Sequence, residues 1–153
     1  MTKALYTASA TSTGNGRNGS VRSDNGRLDF SLAMPVEMGG SGNGTNPEEL
    51  FAAGYSACFH SALLMVARED GVSLVDSAVT SEVGLGQREN VGFGLAVTLR
   101  VSLPGLEEDI ADQLIARAHQ VCPYSNATRG NIDVNLEAET TVATEREPVG
   151  SLI

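Results

Sequence analysis

The sequence predicts an α+β fold on three observations. A capped, apolar helix opens at Asn46 and runs to about Asp70; residues 93 to 103 alternate apolar and polar; and Asp24-Asn25-Gly26 is a strong turn signal between two short extended stretches. At 153 residues, one domain spanning 1–153 is expected, large enough to bury a core without metal or disulfide staples.

In chain order, residues 3 to 8 are predicted as a short edge strand. A polar, Gly-rich stretch follows and ends in Gly14-Asn15-Gly16-Arg17-Asn18-Gly19. That hexapeptide spells a dinucleotide fingerprint, which has physical meaning only between a buried strand and a helix whose N-terminus meets a pyrophosphate. Ser20-Val21-Arg22-Ser23 follows it, so a tight loop between strands is expected instead. Residues 20 to 23 and Arg27 to Leu32 then pair across the Asp24 turn, giving a small antiparallel sheet. Pro35 ends it, and Gly39 to Gly44 form a flexible connector.

Asn46 is placed to cap the central helix, Pro47 suits its first turn, and Glu48 and Glu49 set negative charge at the positive end of the helix dipole. Asn46 and Glu49 also stand at capping-box spacing. From Leu50 to Ala67 no residue carries a formal charge, which raises the question of a membrane span needing roughly 20 apolar residues. Ser56, His60 and Ser61 interrupt the run, and Ala52, Ala53, Gly54 and Ala57 are small, so the helix reads as the buried centre of a soluble fold.

Gly71 is expected to end that helix. Three extended segments follow, near 74–85, 91–103 and 131–142, the middle one with Phe93, Leu95, Val97, Leu99, Val101 and Leu103 on one face. Before the last, Leu106, Ile110, Leu114, Ala118 and Val121 recur at helical spacing. Cys122 continues the Ala111, Ile115, Ala118 stripe, and Pro123 reads as a stop. Residues 143–153 read as a tail or a terminal strand.

A net charge of -9 with a single lysine, Lys3, argues against a nucleic-acid partner, because phosphate-backbone binding rests on clustered Lys and Arg. No basic segment followed by an apolar run opens the chain, so a cytoplasmic location with no membrane partner is expected, where thiols stay reduced or act in redox chemistry.

The chemistry falls on Cys58 and Cys122. Taken from the residues alone, two cysteines on buried helix faces are more often small core residues than a redox couple. There is no Cys-x-x-Cys motif, and the cysteines with His60 and His119 lack zinc-ligand spacing, so no metal is expected. His60 lies two residues from Cys58 on another face of the helix and reads as a satisfied, partly buried histidine.

The run Gly44-Thr45-Asn46-Pro47-Glu48-Glu49-Leu50-Phe51-Ala52-Ala53-Gly54-Tyr55-Ser56-Ala57-Cys58-Phe59, with Val121-Cys122-Pro123-Tyr124-Ser125-Asn126-Ala127-Thr128-Arg129-Gly130, resembles the organic hydroperoxide resistance (Ohr) branch of the OsmC-like superfamily. The resemblance extends over nearly the whole chain. It implies antiparallel sheets wrapped around a long central helix in an intertwined homodimer, with a peroxidatic cysteine at Cys58, a resolving cysteine at Cys122, an arginine at Arg17 and a glutamate at Glu48. The implied reaction reduces alkyl or fatty-acid hydroperoxides to alcohols without a cofactor, and a dithiol donor, the lipoyl group of lipoylated proteins, re-reduces the disulfide. Two alternatives stand beside it: an OsmC-branch peroxidase of broader peroxide range, and a non-catalytic carrier of apolar ligands.

That chemistry asks for these residue types. An ordinary thiol of pKa about 8.5 is only about 3% ionised at pH 7, and bringing it to about 6 takes roughly 3.4 kcal/mol of differential stabilisation. Arg17 is the candidate guanidinium to supply it, and Glu48 is the candidate to pair bidentately with Arg17 and hold its fork towards the sulfur. Ten residues of helix separate Glu48 from Cys58 by about 15 Å along the axis, beyond a glutamate's reach, so Glu48 is expected to serve the partner chain's Cys58. Phe51, Tyr55, Phe59, Met34 and Met38 are candidates to line an apolar entrance, and equally candidates for plain core.

Overall fold

The computed structural model describes residues 3–141. These residues fall into two compact units, the first ending at Phe51 and the second beginning at Ala52. The expected tail at 143–153 lies outside the described residues.

The first unit carries a three-stranded antiparallel sheet in the order β1 (Ala10–Thr13), β2 (Ser20–Ser23), β3 (Asp29–Ser31). β1 falls later than the predicted 3–8. Leu5 and Tyr6, within that predicted segment, are exposed, whereas pairing begins directly from the 14–19 turn, with Thr13 opposite Ser20 and Ala10 opposite Ser23. The fingerprint-like hexapeptide is that turn and contains a 3-10 segment, Gly16–Asn18. Gly19 is fixed there by space: a Cβ would sit 2.0 Å from the Thr13 carbonyl oxygen. The Asp24 turn joins β2 to β3 as expected, with the Asn25 side chain accepting from the backbone N–H of Arg27.

Helix α1, Pro47–Glu69, opens in the first unit and continues into the second. Asn46 caps it, its Oδ1 accepting from the backbone N–H of Glu49 at 2.9 Å. The reciprocal arm of a capping box is missing; the Glu49 carboxylate instead accepts from the Thr45 hydroxyl at 2.7 Å. The helix has the length and apolarity to cross a membrane, a test that the core helix of a globular protein also passes. It is not buried all round. Tyr55, Phe59, Ala62, Leu63, Val66 and Ala67 form the buried stripe, while Leu64 and Met65 are 43% and 40% exposed. Hydrophobicity on every face therefore exceeds what one chain's core uses.

The second unit contains the order β4 (Ala78–Gln87), β5 (Phe93–Ser102), β6 (Val134–Glu139). β4 and β5 are antiparallel, but β5 and β6 are parallel, so this sheet is mixed where antiparallel pairing was expected. The helical crossover between β5 and β6 is the reason, since parallel neighbours need a long connection. Val97, Leu99, Val101 and Leu103 are buried as the alternation requires; Phe93, at the open end, is exposed. Helix α2, Glu108–Val121, buries Ala111, Leu114, Ile115 and Ala118. Pro123 does more than stop it. Cys122 is extended (φ -63°, ψ 123°), as a residue before proline prefers, and Pro123 then opens a further short helix, α3 (Pro123–Thr128).

Candidate active site

Two side-chain pairs among the candidate residues come together, one in each unit. In the first, the 3-10 segment presents Arg17 and the opening turn of α1 presents Glu48. Their side chains meet as a fork, Nη1 to Oε2 at 2.9 Å and Nη2 to Oε1 at 2.7 Å. The Glu48 side chain is only 14% exposed, so the pair is partly shielded from water and the geometry is of the strong bidentate kind. Arg17's hydrogen bonds hold the Glu48 carboxyl below its ordinary range, and the same contact raises the guanidinium.

In the second unit, Cys58 of α1 and Cys122 at the α2–α3 break bring their sulfurs to 3.6 Å as free thiols. Cys122 is fully buried and Cys58 partly so. Burial pushes the Cys58 thiol up, and the neighbouring Cys122 adds to that; the backbone N–H of Tyr124 works in the opposite direction by donating to the sulfur. A chain of hydroxyls locks α3 in place. The Tyr55 hydroxyl bonds Ser125 Oγ at 2.9 Å and Thr128 Oγ1 at 3.1 Å, and Ser125 Oγ also bonds His119 Nδ1 at 2.8 Å. Burial, then the Arg129 charge, pushes the His119 pKa down, so the imidazole is neutral near pH 7.

Other sequence expectations resolve by burial. His60 is satisfied by Ser77 Oγ at 3.0 Å. Tyr55 and Phe59 have no exposed surface and act as packing within the chain, whereas Phe51 and Met34 are half-buried and Met38 is exposed. Sequence reasoning left Tyr124, Ser125 and Thr128 without a role in the site. The missed signal is the Cys-Pro pair, which both ends one helix and starts the next.

A long helix, two small sheets and a thiol pair held between helices define a cysteine-bearing α+β protein, and the sequence profile of one family, the OsmC-like proteins, matches residues 40–137. The chain belongs to that family. It is 53% identical over 136 residues, 88% of this chain and 94% of the relative, to the organic hydroperoxide resistance protein of Xanthomonas axonopodis pv. citri. The crystal structure of an organic hydroperoxide resistance protein from Legionella pneumophila superposes with a TM-score of 0.85 at 52% identity, covering 92% of this chain and 100% of that one. The Bacillus subtilis protein OhrB superposes at 0.81 with 47% identity, over 89% and 100%. Within the family, these likenesses set the chain among the Ohr proteins.

Proposed function

We propose that this chain is a cysteine-based peroxidase that reduces organic hydroperoxides to alcohols, acting as a single 1–153 domain in a cytoplasmic homodimer. The observation that carries the reading is the 3.6 Å approach of the Cys58 and Cys122 sulfurs in a chain so similar to organic hydroperoxide resistance proteins.

The Cys58 thiolate attacks one peroxide oxygen, the O–O bond breaks, and the alkoxide leaves and takes a proton to become the alcohol. Cys58 is then a sulfenic acid. Cys122, losing its own proton, attacks the Cys58 sulfur; the S–S bond forms and the oxygen departs as water, which protects the sulfur from further oxidation. Two electrons from an external dithiol restore both thiols, and a lipoyl group is the donor the family resemblance favours.

Burial alone keeps Cys58 protonated, so catalysis needs a cation. Arg17 meets that need, delivered with Glu48 from the partner chain, since about 15 Å of helix axis separates Glu48 from its own Cys58. Unburied Leu64 and Met65 on α1 favour a second copy as their cover. Phe51, Met34 and Met38 keep apolar surface for an alkyl or fatty-acid chain, with Tyr55 and Phe59 as the packing behind.

The test is thiol counting by mass spectrometry before and after one equivalent of tert-butyl or fatty-acid hydroperoxide. Loss of both thiols as an intramolecular Cys58–Cys122 bond is expected. Unchanged thiols overturn the reading and leave the apolar-ligand carrier, and an equal rate with hydrogen peroxide favours the broader OsmC-branch peroxidase.

A further inference from the structure

Gly54 stands in the interior of α1, where glycine is among the weakest helix formers. What it does there is leave room. A Cβ at this position would lie 2.7 Å from the Tyr124 hydroxyl oxygen and 3.2 Å from two of its ring carbons, closer than side chains settle without displacement. The Tyr124 ring is also braced by Tyr55, with centroids 5.6 Å apart at 43°. Gly54 precedes Cys58 by four residues, so the two share a helix face one turn apart. Tyr124 spans that turn: its ring rests on Gly54 and its backbone N–H faces the Cys58 sulfur. Two residues before it in the chain is Cys122.

We infer that Gly54 and Tyr124 are positioning residues for the sulfur pair: the hollow at Gly54 seats the Tyr124 ring, and the seated ring holds the Tyr124 backbone N–H against Cys58 and the Cys122 sulfur alongside. The catalytic consequence rests on the peroxidase reading above; the seat itself does not. The amide is a fixed neutral donor that strengthens its bond when the thiol becomes a thiolate. Filling the hollow moves the donor and the second sulfur together.

The experiment measures iodoacetamide alkylation of Cys58 against pH in a Cys122→Ser background, which removes the titratable group whose charge bears on Cys58. Three full-length chains are compared: the background, the background with Gly54→Ala, and the background with Gly54→Ala and Tyr124→Phe. Alanine is the better helix former, so helix content by circular dichroism is expected to hold. Gly54→Ala is expected to shift the alkylation midpoint upward and to cut the thiolate fraction at pH 7 by about tenfold. Tyr124→Phe, which removes the atom at 2.7 Å, is expected to restore part of that loss. An unmoved midpoint in Gly54→Ala, or a shift that Tyr124→Phe does not relieve, overturns the inference. Should Gly54→Ala not fold, Tyr124→Ala empties the same seat, and an unmoved midpoint there is equally fatal. Alkylation needs no peroxide. A parent chain that forms no disulfide with hydroperoxide while the shift and its rescue appear would sink the peroxidase reading and spare the seat; the reverse pattern sinks the seat alone.

Discussion

Arg17 and Glu48 are 31 residues apart in sequence and meet through two hydrogen bonds of 2.9 and 2.7 Å. Because the folded state holds Glu48 below its ordinary value of 4.5, ionisation is easier folded than unfolded. Its contribution is therefore present above the ordinary value and is lost as pH falls through the folded one. Glu48→Gln is expected to melt below the parent near neutrality, by no more than about 1 kcal/mol for a pair with this much solvent contact, and the gap is expected to close in acid below 4.5. Calorimetry across pH checks it, and a gap that persists unchanged into acid would count against the ion pair as its origin. This pairing was not legible in the residues themselves. Nothing in a lone arginine in a glycine-rich turn and a glutamate at a helix start announces that they touch; only the family resemblance singled them out.

The elements were far more legible, because their signals are local. Asn46, Pro47 and the acidic first turn predicted the start of α1, and the Asn46 cap formed. Asn46→Ala is expected to cost about 1 kcal/mol, read as a lowered melting temperature, with Asn46→Asp close to neutral; equal losses in both would assign the residue to packing instead, as it is largely buried. β5 followed from strict alternation, and its centre is buried as that alternation requires. Failures came where two physical readings of one residue compete. Pro123 both terminates and initiates a helix, so α3 was overlooked. Residues 3 to 8 read as an edge strand, yet the turn at 14–19 decided where pairing starts. The parallel β5–β6 pair is set by what lies between them, which a strand's own residues do not encode.

At the scale of the whole molecule, α1 is more apolar than one chain's core can use: Leu64 and Met65 stay exposed. The proposed dimer gives that surface a cover and brings the Arg17–Glu48 fork of one chain to the sulfurs of the other. Mixed dimers of a Glu48→Ala chain with a Cys58→Ser chain test the exchange, scored by hydroperoxide turnover per dimer. About half of wild-type activity is expected, because one of two sites keeps both its glutamate and its cysteine. Near-complete loss would mean that each glutamate serves its own chain. Between α2 and α3 the backbone leaves helical geometry at Cys122 alone. In the proposed cycle the sulfur separation has to close from 3.6 Å to about 2.05 Å, and this one extended residue is the joint at which that closure is expected to fall, outside the hydrogen-bonded turns of α2 and α3. Under that proposal, repeated oxidation would work one joint of the chain instead of melting its framework.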